Sequence, residues 1–134
     1  HAGTFGANGV SMAAANAVLD ILSESPVLND LSERGTRLKN GLDQILTDAD
    51  LPHQMCGHPN IQGFLITEKK VEEVRDLAYS DDDLYEIIMN NMYDRGIWVE
   101  NDPREPWFLC EAHTDEVIDH TLNIFEESVK ASLK

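Results

Sequence analysis

At 134 residues, 42% of them hydrophobic, the chain is the size of one globular domain. Folding would take about two-thirds of its unfolded surface out of water. Its 25 acidic and 10 basic residues leave a net charge of −15, which repels nucleic acid and anionic membranes at long range and otherwise reads as a solvated surface. No apolar run approaches the ~20 residues of a membrane span, and the opening residues lack the basic-then-apolar order of a secretory signal. The first residue is His1 rather than Met, so either an upstream part has been removed or the sequence belongs to a longer protein. Cys56 and Cys110 have no CxxC or Cys/His spacing around them. With an ample core, they point to a reducing cytoplasm and to buried, inert thiols.

Residues 1–9 form a Gly-rich loop, and Asn8 is placed to cap the helix that follows. Residues 10–22 are Ala-rich, with Ala14, Val18 and Leu22 at helical spacing. Ser25–Pro26 reads as a restart, Ser as N-cap and Pro at the first helical position. The second helix runs to about Asp48 on a stripe that includes Leu28, Leu31, Leu38, Leu42, Ile45 and Leu46. Gly35 and Gly41 inside it each cost about 1 kcal/mol against Ala, or mark close packing. Leu51–Pro52 breaks it.

Strands are predicted at 53–56 and 61–67, joined by a turn at 57–60. Residues 69–79 read as an irregular link or a short helix. Asp81, Asp82 and Asp83 suit the positive end of a helix whose apolar face is Leu84, Ile87, Ile88 and Met92, with Gly96 as a left-handed C-cap. Ile97-Trp98-Val99 and Trp107 to Cys110 are predicted strands around a polar loop, 101–106. Thr114 is the expected N-cap of the last helix, with Ile118, Leu122, Phe125 and Val129 as its stripe. The order α, α, β, β, α, β, β, α predicts an α+β fold: a small antiparallel or mixed sheet of about four strands covered by helices.

No self-sufficient active site emerges. There is no GxSxG, Walker loop or GxGxxG after a strand. His53 and His58 flank Cys56 at turn-like rather than metal-ligand spacing. His113 precedes a helix and reads as structural. Trp98 and Trp107 read as core. No catalytic and no metal-binding residue is assigned. The one suggestive stretch is Gly3-Thr4-Phe5-Gly6-Ala7-Asn8-Gly9. A Gly-rich loop with a hydroxyl, leading into a helix, can offer N–H groups and Thr4 Oγ to a phosphate. Taken alone, the stretch reads first as a simple Gly-rich helix entry.

Four motifs occur in one order. Gly3-Thr4-Phe5, Asn8 and Met12-Ala13-Ala14 come first. Glu33-Arg34-Gly35 with Leu38-Lys39-Asn40-Gly41-Leu42 follows. Leu84-Tyr85, Met92 and Arg95-Gly96-Ile97 are third. Phe108-Leu109, Ala112-His113-Thr114-Asp115-Glu116 and Ile118-Asp119, Thr121-Leu122 end the series. Together they resemble class III, fold-type I pyridoxal-phosphate (PLP) aminotransferases, most of all the glutamate-1-semialdehyde aminomutase group, and the resemblance covers nearly the whole chain. Gly6, Ala7 and Gly9 stand where Ser, Gly and Pro are usual. Residues 100–106 replace a loop that lies near the substrate entrance in relatives.

The resemblance implies a C-terminal small domain (10–134) behind a cofactor-phosphate loop (1–9). It implies a homodimer in which Thr4 touches the phosphate of the partner subunit's cofactor, with Gly3 letting the backbone approach. The cofactor-linking lysine and most of the pocket for a small amino substrate would lie upstream, in a large PLP-binding domain. Lys39, Lys69, Lys70, Lys130 and Lys134 all sit in polar, helix-surface or terminal settings, without the desolvated context imine chemistry needs. The chain alone is therefore expected to be inactive. The alternatives are a stand-alone, non-catalytic binding or dimerisation module and a small hydrolase or metal enzyme built on the histidines.

Overall fold

The computed structural model describes residue 3 and residues 6–134. They fall into two compact units, His1–Asp30 and Leu31–Lys134. In the first, α1 (Gly9–Glu24) begins at Asn8, whose Oδ1 accepts from Val10 N and Ser11 N at 3.0 and 3.2 Å. Ser25 ends α1: its N–H and its hydroxyl both donate to Ile21 O. The sequence reading had Ser25 opening the next helix. α2 (Val27–Asp48) opens instead after Pro26, whose carbonyl accepts from Asn29 N and Asp30 N. No residue of α1 is buried, so the expected Ala14, Val18 and Leu22 stripe covers no core. Val10, Met12, Val18, Leu19 and Ile21 are spread around the helix rather than along one face, and Leu28 is exposed too.

The second unit holds the sheet. β1 (His53–His58) and β2 (Ile61–Ile66) form an antiparallel hairpin, in register from His53 opposite Ile66 to His58 opposite Ile61. β3 (Trp107–Phe108) pairs antiparallel with β2, giving the order β1-β2-β3. α3 (Asp82–Tyr93) is capped by Asp81 Oδ1, which accepts from Leu84 N, and closes through Gly96 at φ +87°. α4 (Asp115–Ser132) follows Thr114. The Thr114 carbonyl accepts from Ile118 N, but its hydroxyl makes no cap bond, so Asp115 and Glu116 alone complement the helix end.

Alternation along β2 sorts the two faces. Gln62, Phe64 and Ile66 point into a core shared with Leu38, Leu42 and Leu46 of α2, Ile88 and Met92 of α3, and Phe125 and Val129 of α4. Each such burial is worth about 1.5–3 kcal/mol. Phe64 is the hub, with ring centroids 5.1 Å from Tyr85, 6.1 Å from Trp107 and 5.5 Å from Phe125. Leu65, on the opposite face, lies under the link 67–80, which contains a short 3-10 helix, Val74–Tyr79. Gln54 ties that link down by pairing its amide with both Val71 N and Val71 O. Gly35 lets α2 approach the hairpin turn: a Cβ there would stand 2.3 Å from Pro59 O. The Gly35 carbonyl accepts from the buried amide of Gln62 at 3.1 Å.

The fold is α+β, with three strands rather than about four. Residues 97–99 join no strand, and the last strand stops at Phe108 instead of Cys110. Side-chain hydroxyls take the place of a ladder for this segment: Tyr93 Oη donates to Val99 O and Tyr85 Oη to Glu100 O. The two tryptophans expected in the core also differ. Trp107 is 7% exposed, whereas Trp98 is 84% exposed and packs edge-on against Tyr93. Neither cysteine is fully buried; Cys56 is half-buried and Cys110 exposed.

Candidate functional site

Of the two residues singled out for a cofactor phosphate, Thr4 lies outside the described residues. Gly3 is exposed at φ +139°, a conformation side chains resist, and nothing stands within 4 Å of where its Cβ would be. Its carbonyl accepts from Gly6 N at 3.1 Å, closing a turn ahead of α1. Because Asn8 already occupies Val10 N and Ser11 N, an anion here would meet the turn rather than the helix's first N–H groups. An open glycine turn fits one edge of a phosphate.

The described residues do not fit the rest of a covalently held cofactor. Lys39 Nζ donates to Gly57 O at 2.7 Å. Lys69 lies 4.2 Å from the centroid of Tyr79, Lys70 pairs with Glu72, and Lys130 with Glu126. None of these, nor Lys134, is buried.

A second concave feature lies in the Leu31–Lys134 unit. A groove of about 430 Å³ runs between the segment 97–100 and residues 106–109, floored by Leu38 and Ile118. Its framework is a buried polar relay. Trp107 Nε1 donates to Tyr85 Oη at 3.2 Å, and Tyr85 Oη reaches Glu100 O at 3.4 Å. Burial, only partly offset by the indole bond, pushes the Tyr85 hydroxyl up to about 12. Sequence reasoning named Tyr85 only within the third motif and left it off the apolar face of this helix, although its spacing to Ile88 and Met92 places it there.

The loop that follows Glu100 is pinned by a bidentate pair. Arg104 Nε and Nη2 donate to the two carboxylate oxygens of Asp102 at 2.6 and 2.7 Å, and Arg104 N adds a third bond at 2.9 Å. The side-chain bond from Arg104 holds the Asp102 carboxyl below its ordinary range, and Asp102 raises Arg104 in turn. His113 also lines the groove, and its Nδ1 accepts from Cys110 N at 2.9 Å, the structural role anticipated for it. At the start of α4, Arg37 pairs with Asp115 and Asp119, fastening α2 to α4. His53, at the start of β1 as expected, bridges Leu51 O and Asp43 Oδ1 at 2.8 and 3.1 Å.

The sequence pattern of the Aminotransferase class-III family matches residues 1–129. The chain belongs to the class III aminotransferases. It is 32% identical over 130 residues to the glutamate-1-semialdehyde 2,1-aminomutase of Thermus thermophilus, covering 96% of this chain and 30% of that protein. The protein of the same name from Alkaliphilus oremlandii is 31% identical over 135 residues, covering all of this chain and 31% of the relative.

Among solved structures, the omega-transaminase from Sphaerobacter thermophilus matches with a TM-score of 0.80 at 18% identity, over 100% of this chain and 30% of that one. The Sphingopyxis sp. MTA144 FumI protein matches with the same TM-score at 24% identity, over 99% of this chain and 29% of its own. These likenesses establish the fold of a fold-type I aminotransferase. The class III chain described here thus spans about 30% of the length of the curated relatives it matches.

Proposed function

We propose that this chain is the C-terminal, small-domain part of a PLP-dependent class III enzyme acting on an amino acid or amino-aldehyde, most like glutamate-1-semialdehyde 2,1-aminomutase. The observation that carries the reading is the family match over residues 1–129 in a chain spanning 30% of its relatives. The remaining length would contain the large cofactor domain with the linking lysine. The homodimer, the reducing cytoplasm suggested by two free cysteines, and the inactivity of the chain alone are parts of the same proposal.

When bound, the cofactor supplies an electron sink for breaking bonds at the amino-bearing carbon. This chain's own share is narrower. Gly3 and Thr4 hold the phosphate at one edge: Gly3 through the backbone approach that φ +139° permits, Thr4 by donating its hydroxyl to a phosphate oxygen. The Tyr85–Trp107 relay positions Glu100 at the groove, and the Asp102–Arg104 pair fixes the loop 101–106 that follows it.

The test has two steps. The product of the native gene is expected at about three times this chain's mass, as 30% coverage requires, with the visible absorption of bound PLP. A product of only 15.0 kDa without that absorption would reject the enzyme reading and leave a stand-alone module. In the longer protein, Thr4→Ala removes a charge-assisted bond and is expected to weaken PLP retention roughly 10- to 100-fold. Unchanged retention would remove the role given to Thr4.

A further inference from the structure

Asparagine followed by glycine occurs twice in the chain, at Asn8–Gly9 and at Asn40–Gly41. With no side chain of its own, a glycine leaves its nitrogen open to the Cγ carbonyl of the asparagine before it. Both asparagines are exposed, so access to water does not separate them. The backbone does. Asn40–Gly41 lies inside α2, where the peptide N–H belongs to the i→i−4 ladder and the preceding side chain points away from it. Leu122 presses on Gly41 as well: a Cβ there would stand 2.5 Å from Leu122 Cδ2. Asn8–Gly9 differs on each count. Asn8 stands before α1 with extended backbone, φ −67° and ψ 124°. Gly9 opens the helix, so its N–H has no intrahelical acceptor, and among the described residues nothing else accepts from it. Nothing stands within 4 Å of where a Gly9 Cβ would be, so the peptide has room to turn.

The cap that starts α1 also activates the carbonyl. Val10 N and Ser11 N donate to Asn8 Oδ1 at 3.0 and 3.2 Å. These two bonds polarise Cγ and stand where negative charge would develop on Oδ1 during attack, as oxyanion donors do. The positive end of the helix favours an ionised Gly9 nitrogen. We propose that Asn8–Gly9 is a self-modifying site, at which the Gly9 nitrogen displaces the Asn8 amide and water leaves an acid in its place. Gly9 N gives its proton to a solvent base and attacks Asn8 Cγ, forming the N–C bond of a succinimide. The Cγ–Nδ2 bond breaks, and the nitrogen leaves as ammonia after taking up a proton. Water opens the ring at Cγ to give aspartate, or at the former backbone carbonyl to give isoaspartate. Aspartate keeps the cap and adds a charge that suits a helix start. Isoaspartate lengthens the backbone by one carbon and dismantles the cap.

Peptide mass mapping of the native gene product, incubated folded at neutral and mildly alkaline pH, tests it. Asn8 is expected to convert at least about a hundredfold faster than Asn40, which reacts only after local opening of a helix packed on the core. In urea, where neither peptide is held, the two rates should come within about tenfold of each other. Gly9→Pro removes the attacking N–H, and it suits both the first helical position and the extended Asn8 before it. That variant should keep the parent's circular dichroism and stop conversion at position 8. Gly9→Ala crowds the nitrogen without removing it and should slow conversion, which gives a second reading if the proline variant does not fold. An Asn8 amide that lasts as long as that of Asn40 in the folded protein would overturn the inference. Conversion of Gly9→Pro or Gly9→Ala at the parent's rate would overturn it too. A product that holds no PLP yet converts at Asn8 would reject the enzyme reading and bear this one out.

Discussion

Tyr85→Phe isolates the polar relay that holds the groove. The side chain is 1% exposed, and its hydroxyl accepts from Trp107 Nε1 at 3.2 Å and reaches Glu100 O at 3.4 Å. The variant keeps the ring against Phe64 and removes only the oxygen. A buried indole N–H left without a partner costs about 1–3 kcal/mol, and the long bond to Glu100 contributes less than about 1 kcal/mol. We expect a loss of about 2–3 kcal/mol in urea unfolding at neutral pH, or roughly 6–12 °C in Tm for a domain of this size.

The pH dependence gives a second reading of the same oxygen. The folded hydroxyl titrates at about 12 instead of 10. Its contribution is therefore fully present below pH 10 and lost as pH rises through 12, because the unfolded chain ionises first. That loss amounts to at most about 2–3 kcal/mol. Phenylalanine has nothing to titrate, so the gap between the two proteins should narrow between about pH 10 and pH 12. A variant within about 0.5 kcal/mol of the parent, or a gap independent of alkaline pH, would refute the relay.

Two further substitutions probe the supports of the site. Gly35→Ala gains about 1 kcal/mol of helix propensity, yet its Cβ would meet Pro59 O at 2.3 Å, and backbone cannot yield as a side-chain tip does. Urea unfolding should show a net loss of about 1–2 kcal/mol, and a stabilised variant would mean that α2 does not approach the hairpin turn as described. Arg104→Ala should let the Asp102 carboxyl return upward toward its ordinary range, a shift read by NMR titration. No change would show that the bidentate pair does not persist in solution.

How far the sequence foretold the molecule can be judged element by element. Helix faces were legible where they bury against something: Leu38, Leu42 and Leu46 repeat at four-residue steps and all end in the core. The same periodic reasoning at α1 named a stripe with no core beneath it, because apolar spacing shows what could be buried and not whether a partner is there. Ser25 illustrates a local ambiguity. A serine between two helices can close the first or open the second, and geometry at Ile21 O decided for the first. Gly35 and Gly41 were read as either a propensity cost or close packing. Pro59 O beside one and Leu122 beside the other decide for packing.

The candidate site was legible in a different sense. Gly3 was picked out by resemblance and stands in a conformation that glycine alone adopts readily. The polar role of Tyr85 went unread and Trp98 was misplaced, because both depend on contacts that only the folded chain makes. Trp98 and Trp107 look alike as residues of short β-prone runs. One is sealed by Phe64, Phe125 and the Tyr85 hydroxyl, and the other rests on Tyr93 at the surface. Tyr93 and Tyr85 hold the carbonyls of Val99 and Glu100, and the segment stays outside the sheet. A tryptophan kept outside the core at that position exposes apolar area that folding of this chain does not recover.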